Sequence, residues 1–356
     1  MEHIPPNKIR VLVVDDSPVT QRLYRGLIQT DSRLELVGIA SNGNQAIAEV
    51  LRLKPDVVSM DIEMPELNGL DATRQIMQHY PLPILIVSSL YNTQEAELAM
   101  QVLAAGAVGI INKPNGPGHP NFEKDARKYL QMLKVLSEVK VVKRTKTIST
   151  DPPKATESQT EILKSAGKGS YELLVIGASA GGPDALKQLL STLSKNIPVP
   201  VLLVQHIDQY FAEGYCKWLS TFTTLPVQMI TEETNLLPGH IYLPAPDKHL
   251  KIIAKGKAHA DHSEFHNGNR PSVGLLFNSA LMVYGHRVLA IILSGMGSDG
   301  SAELLNLRKA GAFTIAQNEE SCLVYGMPGE AVKLGAAIKV LPPKEIAIEI
   351  NNLIIH

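Results

Sequence analysis

The chain has 356 residues, a formal net charge of −1 and a sequence pI of about 6.8. Its apolar fraction of 44% and charged fraction of 19% are typical of globular α/β proteins and argue against disorder. The balanced charge gives no bias toward nucleic acid or an anionic membrane, and the two cysteines, Cys216 and Cys322, lack the number and spacing of a disulfide scaffold or a zinc site.

The beginning of the chain carries no recognisable targeting segment. The residues MEHIPPNKIRVLVVDDS contain neither the apolar stretch nor the cleavage site of a secretory signal peptide. No apolar run in the sequence reaches the length of a membrane span. Together with the low cysteine content, these features predict a cytoplasmic protein that is not inserted into a membrane.

The first part of the chain alternates short apolar runs with stretches of helical periodicity. The runs are too apolar for half-exposed strands, and they predict parallel strands that are buried on both faces. Five such β–α units indicate a flavodoxin-like domain with a five-stranded parallel sheet. The expected strands are 9–15, 34–40, 56–61, 83–89 and 108–113.

The composition changes after the fifth unit. Residues 139–146 read VKVVKRTK, and residues 147–169 are rich in Ser, Thr, Lys and Pro, which is typical of an interdomain linker. We interpret the basic run as a solvated tether, because single charge runs are mostly solvation. The predicted division is a first domain over 8–139, a linker over 140–170 and a second domain over 171–356.

A second doubly wound α/β pattern begins with the run YELLVIGASAGG. Helices are expected after Pro183, Tyr210, Ser272 and Asp299. Further strands are expected at 199–206, 240–245 and 287–295, with the runs TIAQ and IKVL as additional candidates.

Charged and hydroxyl side chains close four strands of the first predicted sheet. Asp15 and Asp16 end the first strand, Asp61 the third, Ser88 the fourth and Lys113 the fifth. The carboxyl ends of parallel strands meet at one edge, where converging carboxylates need a hard cation such as Mg²⁺. A carboxylate beside Mg²⁺ can accept a phosphoryl group, which a lysine and a hydroxyl can then contact.

In this pattern, and in the segment MDIEMPELNGL around Asp61, residues 8–139 resemble a response-regulator receiver domain. The resemblance implies that Asp61 accepts the phosphoryl group from a histidine kinase. It also implies a set of Mg²⁺ ligands, namely Asp15, Asp16, Asp61 and the backbone carbonyl of Glu63. The phosphate contacts would be the switch hydroxyl of Ser88 and Lys113. Receivers often carry an aromatic switch residue three positions before that lysine, but this chain has Ile110, so the usual aromatic switch is not expected.

The loop GASAGG follows an apolar strand and precedes Pro183, which suits the first turn of a helix. Its small residues permit a tight turn that would present Ser179 near backbone N–H groups. His206 ends the next strand and Asp299 follows a later one, so both fall on the same predicted rim as Ser179. A serine, a base and an orienting acid make a nucleophilic triad. Asp208 is a rival acid, but strand alternation favours Asp299.

Two other interpretations of this loop were weighed. The order Ser, His, Asp differs from the Ser, acid, His order of α/β-hydrolases, which indicates a different fold. A dinucleotide-binding domain would carry the middle glycine of G-x-G-x-x-G and an acidic residue at the position of His206. This chain has neither.

Six segments of the second domain resemble the catalytic domain of the chemotaxis protein-glutamate methylesterase (CheB) family. The resemblance implies that Ser179 is the nucleophile, His206 the base and Asp299 the orienting acid, with the amides of Ala180 and Met296 in the oxyanion hole. The segments, in chain order, are IGASAGG, QHIDQYFAEGY, IYLPAPDKHL, RPSVGLLFNSA, LSGMGSDG and VYGMPGEAV.

The resemblance also implies a function. The expected activity is hydrolysis of glutamate methyl esters on methyl-accepting chemotaxis receptors, activated by phosphorylation, with glutamine deamidation as an additional activity and no cofactor for the esterase. Two positions depart from the family, because Asp208 stands where proline is usual and Gly274 where aspartate is frequent. Both departures are expected to affect receptor docking and not the triad.

Three weaker hypotheses stay open from the sequence. A receiver could control a DNA-binding output, but the chain shows no helix-turn-helix pattern and is not basic. The GASAGG loop could bind NAD or ATP. The segment HADHSEFH, residues 259–266, could hold a metal, although a solvated loop is favoured; His240 and His249 are interpreted as strand-end or surface histidines.

Overall fold

The computed structural model describes residues 8–89, 93–139, 141 and 171–355. The predicted linker therefore lies outside the described residues except for Val141. Two compact units divide the described residues, one within Met1–Lys143 and Ile207–Tyr215, the other within Arg144–His206 and Cys216–His356. No helix in the described part of the chain is both long and apolar enough to cross a bilayer.

The first sheet has five parallel strands in the order β2-β1-β3-β4-β5, as the sequence predicts. Its central strands are buried on both faces, so that Val11, Leu12, Val13 and Val14 are at most 1% exposed. Four of the strands are shorter than predicted. The strands are β1 (Ile9–Val14), β2 (Leu34–Ala40), β3 (Val57–Met60), β4 (Ile84–Ser88) and β5 (Gly109–Asn112).

The helices that follow these strands begin at clear sequence signals. Ser17, Asn42 and Asn68 each accept a hydrogen bond from a backbone amide in the first turn of the helix that they precede. The helices are α1 (Pro18–Gln29), α2 (Gly43–Leu53), α3 (Gly69–His79), α4 (Thr93–Ala104) and α5 (Phe122–Ser137).

The second sheet has seven parallel strands in the order β15-β14-β13-β6-β7-β10-β8. The sequence predicted six of them and missed β8. The strands are β6 (Leu173–Ala178), β7 (Val201–Gln205), β8 (Val227–Ile230), β10 (Ile241–Pro244), β13 (Val288–Ile292), β14 (Phe313–Gln317) and β15 (Lys339–Leu341).

Six helices accompany this sheet; the first four begin close to the predicted positions, and the last two were not predicted. They are α6 (Gly182–Leu190), α7 (Ala212–Ser220), α8 (Val273–Tyr284), α9 (Ser301–Lys309), α10 (Met327–Lys333) and α11 (Pro343–Ile354). Short 3₁₀ turns lie at Gln209–Phe211, Gly285–Arg287 and Glu319–Ser321.

A small antiparallel sheet, which the sequence analysis did not predict, accompanies the large one. It consists of β11 (His249–Ala254), β12 (Lys257–Asp261) and β9 (Thr234–Asn235), in the order β11-β12-β9. His259 therefore lies in a strand, and the loop predicted over residues 259–266 begins only after Asp261.

Helix α8 packs very closely on strand β6. A Cβ atom added to Gly177 would lie 2.2 Å from Cγ1 of Val273, the first residue of the helix, so a side chain at 177 would displace one of the two elements. Val273, Leu276, Phe277 and Ala280 are completely buried. The absence of a side chain at Gly177 thus brings the N-terminus of α8 against the central strand.

Candidate functional sites

An acidic cluster lies at the carboxyl edge of the first sheet, where the strand order reverses between β1 and β3. Oxygen atoms of Asp15, Asp16 and Asp61 all lie within 4.8 Å of one another. Asp15 and Asp61 are buried, whereas Asp16 is exposed. Lys113 Nζ lies 2.6 Å from Asp61 Oδ2 and 3.0 Å from Asp15 Oδ2.

The charges of this cluster are strongly coupled. Burial raises the pKa of Asp61 to about 6, Lys113 lowers it and Asp15 raises it. Burial lowers the pKa of Lys113, but its hydrogen bonds and charge interactions with the two carboxylates outweigh burial and raise it overall. Asp15 Oδ2 is buried and lies against the Lys113 ammonium at 3.0 Å. The three converging carboxylates offer the oxygen ligands that Mg²⁺ prefers, and the ion would neutralise charge on a transferred phosphoryl group when bound.

The other predicted residues of this site lie at the same edge of the sheet. Ser88 is buried at the end of β4, and its carbonyl accepts a hydrogen bond of 3.1 Å from the Lys113 amide. Glu63 is exposed in the loop after Asp61. Ile110 is buried within β5, so an apolar core side chain occupies the position at which receivers often carry an aromatic switch.

Ser179 stands on a tight turn directly after β6. Its amide donates to the Ser294 carbonyl at 3.0 Å, and its carbonyl accepts from the Gly182 amide at 2.8 Å. Gly181 has φ of +78°, and a Cβ there would lie 2.5 Å from both Leu323 Cβ and Ser294 Oγ, so the turn requires glycine. Within the described residues the Ser179 hydroxyl makes no hydrogen bond, and the side chain is partly exposed.

His206 follows β7 and is joined to the end of β6 through its backbone, because its amide donates to the Ala178 carbonyl at 2.9 Å. Its Nε2 lies 2.8 Å from Asp299 Oδ2. A carboxylate only accepts, so Nε2 carries the proton and Nδ1 is the basic nitrogen of the neutral ring. The structure therefore brings together the predicted base and acid, and Asp208 is not the partner of His206.

The N-terminus of α8 holds the Asp299 carboxylate. The Val273 amide donates to Oδ2 at 2.8 Å, the Gly274 amide to Oδ1 at 3.0 Å and the Ser272 hydroxyl to Oδ1 at 2.9 Å. Burial raises the pKa of Asp299, but the hydrogen bond and charge of His206, together with these two amides, lower it below its usual range. Asp299 is thus an ionised, immobilised acid.

Ala180 and Met296, the two predicted oxyanion-hole residues, lie on two segments that the Ser294 side chain joins. The Ser294 hydroxyl donates to the Ala180 carbonyl at 2.7 Å, and Ser294 lies two residues before Met296. A Cβ added to the intervening Gly295 would lie 2.8 Å from Ser179 Cβ. In the described part of the chain neither the Ala180 nor the Met296 amide donates a hydrogen bond, so both amides are available to a developing oxyanion.

Sequence reasoning missed several residues that support this site. Gln205 Nε2 donates to the carbonyls of Ser179 at 2.8 Å and His206 at 3.0 Å. Gln317 Oε1 accepts from the Ser294 amide at 2.7 Å, and both residues are buried. Each glutamine is the last residue of a central strand, as the predicted strand runs could have indicated.

The two departures from the family pattern have different settings. Asp208 caps the 3₁₀ turn that follows, and its carboxylate accepts from the Tyr210 amide at 3.1 Å. Gly274 lies beside the candidate acid, because a Cβ there would be 3.0 Å from Asp299 Oδ1 and 3.0 Å from Glu303 Cδ. The expectation that neither departure touches the triad is therefore wrong for Gly274.

The histidine-rich segment offers no metal site in the part of the chain that the structure describes. Asp261 instead pairs with Lys251 at 2.8 Å. His249 begins strand β11, in agreement with its interpretation as a strand-end histidine, and its side chain is completely buried.

Comparison with known proteins follows the same division of the chain. Residues 174–350 match the family model described as CheB methylesterase, and residues 11–119 match that of the response regulator receiver domain. The chain is 41% identical over 346 residues to protein-glutamate methylesterase/protein-glutamine glutaminase 4 of Geobacter metallireducens, covering 97% of this chain and 99% of that protein.

A second relative and a solved structure are similar in the same way. Protein-glutamate methylesterase/protein-glutamine glutaminase 3 of Hahella chejuensis is 42% identical over 353 residues, covering 96% of this chain and 98% of that protein. The crystal structure of the Thermotoga maritima CheB methylesterase catalytic domain is 33% identical, covers 51% of this chain and 97% of its own, and has a TM-score of 0.49.

Proposed function

Because this chain belongs to the protein-glutamate methylesterase/protein-glutamine glutaminase family, we propose that it is a serine hydrolase that demethylates glutamates of methyl-accepting chemotaxis receptors. The observation that carries the proposal is the His206–Asp299 pair, held at 2.8 Å beside the turn that presents Ser179. The domain limits predicted from the sequence, 8–139 and 171–356, and a cytoplasmic location are part of the proposal.

In the proposed reaction Ser179 Oγ attacks the ester carbonyl carbon of the receptor glutamate. His206 Nδ1 takes the serine proton. The Nε2–H group of the ring stays hydrogen-bonded to the Asp299 carboxylate, which stabilises the imidazolium that forms. The methoxide leaves as methanol with the proton from Nδ1. Water, deprotonated by the same nitrogen, then hydrolyses the acyl-enzyme and frees Ser179.

Negative charge on the ester oxygen needs its own donors in this scheme. We assign the amides of Ala180 and Met296 to that role, since both are without a partner among the described residues and Ser294 joins their segments. Removing one oxyanion donor from a serine hydrolase costs about 10²–10³ in kcat, so this arrangement carries much of the rate.

The same residues support a second activity on glutamine. A carboxamide presents the same carbonyl carbon to Ser179, and protonated His206 can donate to the departing ammonia. The names of the relatives pair the methylesterase with a protein-glutamine glutaminase. The chemistry after acyl-enzyme formation is identical for both substrates.

Control of the esterase is assigned to the first domain. A histidine kinase would phosphorylate Asp61 with Mg²⁺ held by Asp15, Asp16, Asp61 and the Glu63 carbonyl, and Lys113 and Ser88 would contact the phosphate. The buried, lysine-paired Asp61 supports this assignment, as does the match to the receiver family. Phosphorylation is proposed to raise the rate of ester hydrolysis.

The test is methanol release from methylated receptor membranes by the purified full-length chain. We expect release by the wild type, no release by Ser179→Ala, and a higher rate when a small phosphodonor and Mg²⁺ are added. Asp61→Asn should remove the increase caused by the phosphodonor.

Two outcomes would contradict the proposal. Equal release by wild type and Ser179→Ala would exclude the serine mechanism, and an Asp61→Asn variant that still responds to the phosphodonor would exclude Asp61 as the acceptor. Ser191→Ala is a suitable control, because its hydroxyl donates only to the Lys187 carbonyl at the end of α6.

A further inference from the structure

One buried, titratable side chain of the second domain has no part in the mechanism above. His249, the first residue of β11, is completely buried. Its Nδ1 accepts a hydrogen bond of 3.2 Å from the Ser272 amide, and its Nε2 lies 3.0 Å from the Glu264 carbonyl. A neutral ring whose Nδ1 accepts a hydrogen bond carries its proton on Nε2, so both partners specify the same neutral tautomer.

The residue that His249 holds is the one that places the candidate acid. Ser272 precedes α8, and its hydroxyl donates to Asp299 Oδ1 at 2.9 Å and accepts from the Leu275 amide at 3.3 Å. The next residue donates its amide to Asp299 Oδ2 at 2.8 Å. His249 is therefore linked through one residue to Asp299, and through Asp299 to His206.

The surroundings favour the neutral ring. Burial lowers the pKa of His249, the hydrogen bond with the Glu264 carbonyl opposes it, and Lys251 and Arg270 add to the lowering while Asp261 opposes it. Protonation would place a second N–H group against the Ser272 amide, where two donors would face each other. The acceptor at Nδ1 is thus the feature on which the contact depends.

We propose that His249 is a positioning residue of the esterase, whose Nδ1 fixes the Ser272 backbone and thereby the helix N-terminus that orients Asp299 toward His206. This inference rests on the proposed serine mechanism. Replacing a histidine that only filled the core would affect folding without changing the pH dependence of the rate.

Two substitutions separate the two hydrogen bonds of the ring. In His249→Asn the side-chain oxygen can take the place of Nδ1 and accept from the Ser272 amide. In His249→Gln the longer amide can donate to the Glu264 carbonyl in place of Nε2, but it lacks the acceptor opposite Ser272. The two variants therefore have the same polarity and differ in which contact they keep.

The experiment measures methanol release by the full-length variants across pH, with thermal unfolding of each. We expect His249→Asn to stay near the wild-type rate, and His249→Gln to lose about 10-fold in kcat, since a buried donor loses its acceptor. A loosened Asp299 stabilises the His206 imidazolium less, so the acidic limb of the rate should move to lower pH in His249→Gln. His240→Asn is the control, because in the described part of the chain that ring hydrogen-bonds to the nearby Pro238 carbonyl and stacks on Tyr242, with no link to Asp299.

Equal rates and equal acidic limbs in the two variants would overturn the inference, as would loss of folding in both, which would assign His249 to the core. Either result can be obtained while the wild type hydrolyses the ester and Ser179→Ala does not, in which case the proposed function stands. A wild type without activity on any methylated receptor preparation would remove the proposed function and this inference together.

Discussion

Asp299 combines burial with four hydrogen-bond donors, and this makes it an acid that stays ionised. Its contacts are the ring of His206, the hydroxyl of Ser272 and the two amides of Val273 and Gly274. Such contacts stabilise the folded state only while the carboxylate is charged. The stability of the second domain and the orientation of the His206 ring consequently depend on one charge.

Replacement of this charge predicts a pH-dependent loss of stability. The pKa of Asp299 is lowered in the folded state, so its contribution is fully present above its ordinary pKa of about 4 and disappears as the pH falls through the lower folded value. We expect Asp299→Asn to be less stable than the wild type at neutral pH, with a difference that shrinks in acid. Denaturant unfolding between pH 2.5 and 7.5 would measure it.

Glu345→Gln is the matched control for this prediction. Glu345 is likewise a carboxylate at a helix N-terminus, since it lies in the first turn of α11, but it is exposed. Its removal should cost about 0.3–1 kcal/mol at neutral pH, the usual value for an exposed charge near a helix terminus. If Asp299→Asn and the wild type differed in unfolding free energy by the same amount at every pH, the charge of Asp299 would not be the source of its contribution to stability.

At the scale of elements, the packing of α8 against β6 determines the position of the Asp299 carboxylate. Gly177 leaves room for Val273, whose amide donates to Asp299. The helix therefore serves as core element and as anion-holding terminus at once, and its first residue belongs to both roles.

Substitution of the glycine tests this dependence. In Gly177→Ala the new methyl group would lie 2.2 Å from Val273 Cγ1, so the helix must shift. We expect a loss of about 1–3 kcal/mol in unfolding free energy, as for overpacked cores, together with a lower kcat. Gly26→Ala in α1 is the control, because nothing lies within 4 Å of its added Cβ, and it should stabilise the first domain by about 0.4–1 kcal/mol. If Gly177→Ala were destabilised but kept its kcat, the packing of α8 on β6 would not be what positions Asp299.

The sequence predicted the parallel strands well, because unbroken apolar runs such as IRVLVV leave few alternatives to a strand buried on both faces. The hairpin of β11 and β12 was missed, although the alternation in HLKIIAKGKAHAD around Gly256 is typical of a hairpin. The complete burial of the strand-end residue His249 was not predicted either. Its burial depends on the Glu264 carbonyl and the Ser272 amide, and neither partner is visible in local sequence.

Predictability also differed between the two candidate sites. Strand ends in chain order were enough to predict that Asp15, Asp61 and Lys113 meet, because the topology of a parallel sheet leads them to one edge. The supporting contacts of Ser294 and Ser272 join segments far apart in the chain. Their roles follow from side-chain geometry and not from motif spacing.

For the whole molecule, each sheet has its candidate site at the point where the strand order reverses. In the first sheet this point separates β1 from β3, and in the second it separates β13 from β6. Each site is made within one sheet and its own loops. We therefore expect the two domains to unfold in separate transitions.

Magnesium should stabilise one of these units only. Bound Mg²⁺ would neutralise the carboxylates of Asp15, Asp16 and Asp61, so we expect it to raise the thermal midpoint of the first domain and to leave that of the second unchanged. Scanning calorimetry of the full-length chain with and without Mg²⁺ would show this. The shift should be lost in Asp15→Asn and kept in Asp71→Asn, whose carboxylate forms an exposed pair with Arg74. A shift of both transitions would argue against separate units.

The pairing of β6 with β13 has a consequence for the order in which the protein becomes active during synthesis. The strands of the first sheet have all been synthesised once Asn112 has left the ribosome. Strand β6, in contrast, can pair with β13 only after Ile292 has been synthesised, and Asp299 follows later still. Because domains fold as their chain emerges and distant pairings form late, the nascent protein would acquire its phosphoacceptor long before its hydrolase. A polypeptide released early, before Asp299, would compete for the kinase without removing a single methyl group.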